Sequence, residues 1–347
     1  LIFPRNNYQT LAKISKFTFF KYNPIYTLTK YNSNQQELWD NFVSEAKNST
    51  FLFYRNFMDY HKDRFKDHSL LLYKKKKLVA LFPANQQENI LYSHQGLTYG
   101  GLIVNENLKL HDVAQCLKLI LEYLQENKIE KLHIKLLPSI YNPIPFDELH
   151  YLLFILEAKL SRRDALSVVN MQHRPKLSKD RIAGNKRALK HGLEIKEINT
   201  FDEFWNEILI PNLAAKHDTK PVHTLAEIQH LKVHFPNHIR QFNVYKDNTI
   251  VAGTTIFETK YVAHSQYISG NADKNNLGSL DFLHLYLLNE VFQDKMYFDF
   301  GISNENQGKN INEGLLYWKE GFGARTITQD FYEIDVQKSH KLDTIFI

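Results

Sequence analysis

The chain has 347 residues and a mass of 40.9 kDa, longer than one ordinary core supports, and points to two units of comparable size. Hydrophobic residues at 43% and charged residues at 23% exclude a disordered, coiled-coil or collagen-like chain, and a net charge of +5 falls well short of a histone-like binder. The single cysteine, Cys116, excludes a disulfide framework, a CxxC redox pair and a cysteine-based zinc site; it fits a reducing, cytoplasmic compartment.

An N-terminal arm, residues 1–30, opens with apolar residues interrupted by Arg5, Lys13 and Lys16, so it reads as neither signal peptide nor anchor. No apolar run in the chain reaches the ~18–20 residues of a membrane span. Next comes an amphipathic helix with Leu38, Trp39, Phe42, Val43 and Ala46 on one face. A hairpin-like pair around Leu78-Val79-Ala80 follows, then a β-rich run ending at Ser93-His94-Gln95. A helix lined by Leu110, Val113, Leu117, Leu121 and Leu124 leads to a strand at Leu132–Leu136. Cys116 lies on that helix as a packing residue.

The same order returns later in the chain. Trp205 lies in Phe204-Trp205-Asn206-Glu207-Ile208, and the hairpin recurs at Ile250-Val251-Ala252. His264-Ser265-Gln266 precedes a helix with Leu280, Leu283, Leu287, Leu288 and Val291, and Tyr297–Phe300 closes the unit. The matching landmarks are offset by 166, 172, 171 and 166 residues. Two copies of one helix–strand–strand–strand–helix–strand unit are therefore expected. Between them, residues 159–196 carry eleven Lys/Arg against three acids, a net of +8, so the remainder of the chain sums to −3.

No GxSxG, HExxH, GxxxxGK[ST] or GxGxxG signature occurs, so hydrolase, metalloprotease, P-loop and dinucleotide readings lack support. His230, His234 and His238 are spaced four apart, but Pro236 interrupts the helix that would stack them, and no metal is expected. The polar stretch Gly270–Ser279 links a strand to a helix. Ser279 is a candidate N-cap, and the helix start suits a pyrophosphate; a plain capped turn is the alternative. Thr98–Gly101 is its fainter counterpart in the first copy.

Asp299 stands among aromatics in Phe298-Asp299-Phe300-Gly301, where a carboxylate is costly unless paired or used. It either caps the glycine turn or takes part in chemistry. Lys319, within Tyr317-Trp318-Lys319-Glu320-Gly321-Phe322-Gly323, either snorkels over the aromatics or stabilises an oxyanion or substrate anion. His264 and Gln266, two apart on a strand, face one side, and a histidine there suits a general base or a structural role.

With these pieces assembled, the chain over roughly 31–336 resembles the tandem acyltransferases of the GNAT superfamily, specifically Fem-type proteins and their BioF-like relatives. The resemblance is carried by FDFG at Phe298–Gly301, followed at the family's distance by the aromatic-Lys-x-Gly-Phe-Gly segment at Trp318–Gly323. It implies an α/β fold of two tandem GNAT-like domains, 31–160 and 197–336, each a twisted mixed sheet flanked by helices. A basic connector, 161–196, would join them, and a tail, 337–347, would follow. Each sheet would splay between its fourth and fifth strands to receive an acyl donor, and a free amine would attack the donor's carbonyl.

By the same resemblance Lys319, His264 and Asp299 are the catalytic candidates, with the second copy carrying the stronger motifs. Asn276, Gly278, Ser279 and Gln266 are the donor-binding candidates. This stretch keeps only Gly278 of the superfamily's Arg/Gln-x-x-Gly-x-Gly/Ala pattern, so acyl-CoA is one donor and aminoacyl-tRNA the alternative. Arg181, Lys186, Arg187 and Lys190, expected on one face of a short helix, together with Tyr317, are candidates for substrate phosphate, unless the segment is only a solvated linker. The acceptor expected is an amine of a cell-envelope or polysaccharide precursor, such as a nucleotide sugar. A non-catalytic carbohydrate- or nucleotide-binding protein is the remaining alternative.

Overall fold

The computed structural model describes residues 25–347, apart from the side chains of residues 216 and 217. Most of the expected N-terminal arm, including Arg5, Lys13 and Lys16, therefore lies outside the described residues. From Tyr26 onward the two halves repeat one order of elements. The first runs from strand Tyr26–Lys30 through helix Gln36–Glu45, strands Leu70–Lys74, Lys77–Phe82 and Ile90–Tyr92, helix Leu110–Glu126 and strand Lys131–Lys135 to strand Lys159–Asn170. The second runs from strand Glu194–Ile198 through the helical stretch at Phe204–Leu209 and Ile210–His217, strands Ile239–Lys246, Thr249–Glu258 and Val262–Gly270, helix Ser279–Tyr286 and strand Tyr297–Ile302 to strand Arg325–Asp335.

The tryptophans that marked the repeat occupy matching positions. Trp39 and Trp205 are both fully buried. Trp39 Nε1 donates to the Phe53 carbonyl at 2.7 Å, and Trp205 Nε1 donates to the His223 carbonyl at 3.2 Å. Each indole thus fills the core with its rings and pins a loop with its one polar atom. The long helices bury the expected leucine stripes, Val113, Leu117, Leu121 and Leu124 in one half and Leu283, Leu287 and Leu288 in the other.

The final strand of each half crosses to the other. Arg325–Asp335 pairs antiparallel with Lys131–Lys135 of the first half, and Lys159–Asn170 pairs antiparallel with Tyr297–Ile302 of the second. The two exchanged strands pair with each other from Arg325–Val168 to Glu333–Lys159. One ten-stranded mixed sheet results, and Tyr26–Lys30, Leu70–Lys74, Lys77–Phe82 and Ile103–Val104 form a separate four-stranded sheet. An apolar cluster around Phe51, Phe57, Trp205 and Phe257 takes residues from both halves.

The basic segment differs from the expected connector. Residues 161–196 hold most of the exchanged strand Lys159–Asn170, the helix Lys179–Lys190 and the start of the edge strand Glu194–Ile198. Several of its charges are consumed internally, in Arg162–Asp164, Arg163–Asp330 and Arg181–Asp281. The residues expected as a tail share the helical stretch Val336–Asp343, which buries Leu342 and receives a hydrogen bond at Ser339 Oγ from Gln125 at 2.8 Å.

Because Trp39 and Trp205 do the same work in each half, Trp39→Ala and Trp205→Ala should each cost about 3–5 kcal/mol. Urea denaturation followed by circular dichroism measures both. A loss below about 1 kcal/mol at either position would contradict this equivalence.

Candidate active site

Strands Val262–Gly270 and Tyr297–Ile302 run parallel but share only three rungs: Val262–Tyr297, Ala263–Phe298 and His264–Asp299. Two irregularities turn them apart. Gln266 is an extra residue in the pairing with Thr249–Glu258. On the other strand, pairing with Lys159–Asn170 slips between Asp299 and Ile302, where Gly301 takes φ +72°. Such bulges bend a strand and end its regular ladder, and Gly301 supplies the left-handed backbone that a side chain would resist.

The last rung brings together the residues best suited to proton transfer. His264 Nδ1 lies 2.8 Å from Asp299 Oδ2. The Gly301 amide donates to Asp299 Oδ1 at 2.7 Å, and the Tyr141 hydroxyl of the first half lies 3.4 Å from Oδ2. Asp299 is 1% exposed, so these partners offset the desolvation of its carboxylate. With Nδ1 held by the acid, Nε2 is the ring nitrogen left to accept a proton. Burial, aided by the nearby Asp299, pushes the Tyr141 phenol well above its ordinary value and keeps it neutral.

Lys319 completes the cluster from helix Glu313–Glu320. Its ammonium donates to the carbonyls of Gly301 and Ile302 at 3.1 and 2.6 Å, beside the slipped rung. The residue is 2% exposed. Burial pulls its ammonium down to about 8, against the opposing charge of Asp299. Lys319 is thus neither a snorkelling surface lysine nor part of the lining of the cavities beside the site.

Beyond the shared rungs, the end of strand Val262–Gly270, at Ile268, Ser269 and Gly270, lines a cavity of about 690 Å³ on the side of helix Ser279–Tyr286. Its lining includes Arg181 and Arg187 from helix Lys179–Lys190, Lys274, Asp281, and Tyr317 with Trp318. Asp281 pairs with Arg181 and accepts from Trp318 Nε1 at 2.9 Å. Burial raises its carboxyl above the ordinary value, and Arg181 opposes that rise. Tyr317 donates its hydroxyl to Asp180 at 2.7 Å, and Arg187 donates to the Asn275 carbonyl at 3.2 Å. A basic, aromatic-walled cavity of this size accommodates a phosphate-bearing ligand.

In the core between the halves, His264 and Gln266 line a small cavity of about 10 Å³, together with Thr98, Tyr99 and Tyr141. That volume holds about one water. Thr98, Phe257 and Gln266 also line a larger cleft of about 290 Å³, whose walls include Tyr60, His61 and Arg64 of the first half and His223 of the second. Gln266 Oε1 is buried with no hydrogen-bond partner, so it invites a donor.

The expected residues therefore fall into groups. His264, Asp299 and Lys319 share one cluster, and Arg181, Arg187 and Tyr317 share the large cavity. Gln266 lines the small void with His264 and also the cleft. Lys186 and Lys190 point outward and do not share a face with Arg181, which lies over the buried Gly184 and Ala188. Asn276, Gly278 and Ser279 stay out of the cavity lining. A Cβ at Gly278 would sit 2.1 Å from the Gly184 carbonyl oxygen, so this glycine allows a close approach of the neighbouring helix backbone. Ser279 is fully buried there.

In the first half the corresponding parting is shut. Strands Ile90–Tyr92 and Lys131–Lys135 also share three parallel rungs, but Gly100 returns to pair with Leu136 and donates its amide to the Lys135 carbonyl at 2.7 Å. Lys135 Nζ bridges to the Gln95 and Leu97 carbonyls at 3.0 and 2.5 Å. His133 stands where the second half has Asp299 and faces Glu333 at 3.1 Å.

Sequence reasoning missed Tyr141, Trp318 and Asp281 as site residues. Asp281 alone left a signal, a carboxylate in the first turn of an apolar helix. Tyr141 reaches the site from the other half, and no local pattern announces that.

Lys319 carries a testable titration. Its folded value near 8 lies below the ordinary 10.5, so the unfolded chain binds more protons between these values. Stability contributed by this group should rise as pH climbs from about 8 to 10.5. Lys319→Met should flatten that rise relative to the parent, measured as the difference in melting temperature across the window. Parallel curves for the two proteins would refute the assignment.

No protein-family model and no curated protein sequence matches the chain. Solved structures do. FemX superposes with a TM-score of 0.65 at 10% identity, covering 91% of this chain and 99% of that one. L-PGS from Bacillus licheniformis gives 0.53 at 11% identity, covering 90% and 94%. A tandem GNAT protein from the clavulanic acid biosynthesis pathway gives 0.51 at 12% identity, covering 90% and 98%. At such identities the likeness concerns the path of the backbone, and the chain has the fold shared by FemX and the tandem GNAT proteins.

Proposed function

We propose that the protein is an N-acyltransferase whose second half holds the reaction. The single observation that carries this reading is the buried Asp299–His264 pair on the last rung before two parallel strands part; the strand that carries His264 reaches the cleft at Gln266 and the large cavity at Ile268, Ser269 and Gly270. The activated acyl donor occupies the cavity, and the amine acceptor enters through the cleft past Gln266. The amine nitrogen attacks the acyl carbonyl, His264 Nε2 takes the proton that the nitrogen loses, and Asp299 stabilises the imidazolium. The tetrahedral intermediate then collapses, and the imidazolium returns a proton to the departing thiolate or alkoxide. Lys319, committed to two backbone carbonyls, holds the slipped rung and so positions Asp299.

The acceptor is an amine of a cell-envelope or polysaccharide precursor. The mixed aromatic and polar walls of the cleft, with Tyr60, His61 and Arg64, support a compact, ring-bearing amine. Acyl-CoA is one candidate donor. One observation favours the aminoacyl-tRNA reading: the start of helix Ser279–Tyr286, where a pyrophosphate would bind, is packed against Gly184. A donor without a pyrophosphate needs no open helix terminus there, and the basic wall of Arg181 and Arg187 still meets its phosphates.

Turnover assays with acyl-CoA and with aminoacyl-tRNA, each with and without ribonuclease, separate these donors. The tRNA reading predicts loss of activity on ribonuclease treatment and binding that weakens steeply with salt. With either donor, His264→Asn should lower kcat by about 10²–10⁴-fold while leaving donor affinity within a few fold. Full turnover by a folded His264→Asn variant would overturn the role given to the pair, and absence of turnover with both donors would overturn the enzymatic reading.

A further inference from the structure

Helix Lys179–Lys190 has a second face that the proposed reaction does not use. At about 100° per residue, Lys179, Ile182, Lys186, Leu189 and Lys190 fall within one arc of about 100°. Gly184 and Ala188 lie opposite, buried against the neighbouring helix. The helix cannot roll to hide its outer residues: a Cβ on Gly184 would already sit 1.7 Å from Asp281 Oδ2, and Arg181 is tied to the same carboxylate. The outer face is therefore presented rigidly to the surroundings.

That face combines two chemistries. Ile182 is 41% exposed and Leu189 59%, and they sit two helical turns apart. The three lysines around them are exposed, and none belongs to an ion pair among the described residues. The helix's one acid, Asp180, is bound to Tyr317 on the flank facing the cavity. Lysines that surround exposed aliphatic side chains match the boundary of an anionic bilayer, where the ammonium groups meet phosphates and the aliphatic tips enter the acyl region. A polyanion such as RNA would meet the lysines but would have no use for Leu189 and Ile182.

We propose that the outer face of helix Lys179–Lys190 docks the protein peripherally on an anionic lipid bilayer. No helix among the described residues is long and apolar enough to cross a membrane. This proposal does not depend on the acyl-transfer reading, because none of its five residues lines the cavity or the cleft.

Co-sedimentation of the full chain with phosphatidylcholine vesicles, and with vesicles containing about 30% phosphatidylglycerol, tests it. Binding is expected on the anionic vesicles alone. Lys179→Glu/Lys186→Glu/Lys190→Glu should lower the partition coefficient on the order of a hundredfold. Ile182→Ser/Leu189→Ser should lower it roughly tenfold or more at unchanged net charge. All five positions are exposed, and an unchanged melting temperature verifies the fold of each variant. Failure to bind anionic vesicles overturns the proposal. So does binding that neither variant weakens. Loss of vesicle binding on charge reversal with indifference to Ile182→Ser/Leu189→Ser, accompanied by salt-sensitive RNA binding, would identify a polyanion surface and overturn the bilayer as its partner.

Discussion

The site depends on how early two parallel strands stop pairing. Val262–Gly270 and Tyr297–Ile302 hold together for three rungs, and a bulge on each then turns them apart. Had the ladder continued, His264 and Asp299 would be mid-sheet residues. Because the ladder ends at their rung, a buried carboxylate and an imidazole meet at its end, and the imidazole lines a void of about 10 Å³. Lys319 makes this arrangement tolerable by accepting the cost of burial to satisfy two carbonyls at the slip.

The first half shows the alternative outcome of the same architecture. Its strands also part after three rungs, but the chain returns at Gly100, and Lys135 bridges two carbonyls across the gap. Burial pulls the Lys135 ammonium down to about 8, as it does for Lys319. One lysine closes a gap and the other props one open. The first half contributes to the site instead through Tyr141 and through the walls of the cleft, which the exchanged strands bring alongside the second half.

Legibility in the sequence followed the range of the interaction. Trp39 and Trp205, the two leucine-striped helices and the strands at Lys131–Lys135 and Tyr297–Ile302 were visible because helix and strand periodicities are local. Asp299 and Lys319 stood out because charged residues among aromatics are costly without partners. The exchange of final strands left no mark, since Lys159–Asn170 looks the same whichever partner it pairs with. The segment around it looked like a connector for that reason, and its net of +8 overstated its free charge, because Arg163 and Arg181 are paired with Asp330 and Asp281, acids far along the chain.

Local pattern in the sequence carried the order of the α/β elements and marked Asp299 and Lys319 as charges in apolar surroundings, because burial patterns and misplaced charges are written in neighbouring residues; that these two meet His264 in one cluster is a tertiary outcome. Only the tertiary structure decided that Gly278 faces a helix backbone, that Gln266 belongs to the cleft, and that the second parting is open while the first is closed. Those outcomes turn on which backbone carbonyls and amides meet across the sheet and between the halves. Every residue carries the same backbone groups, so their pairing is set by the fold and not by side-chain identity.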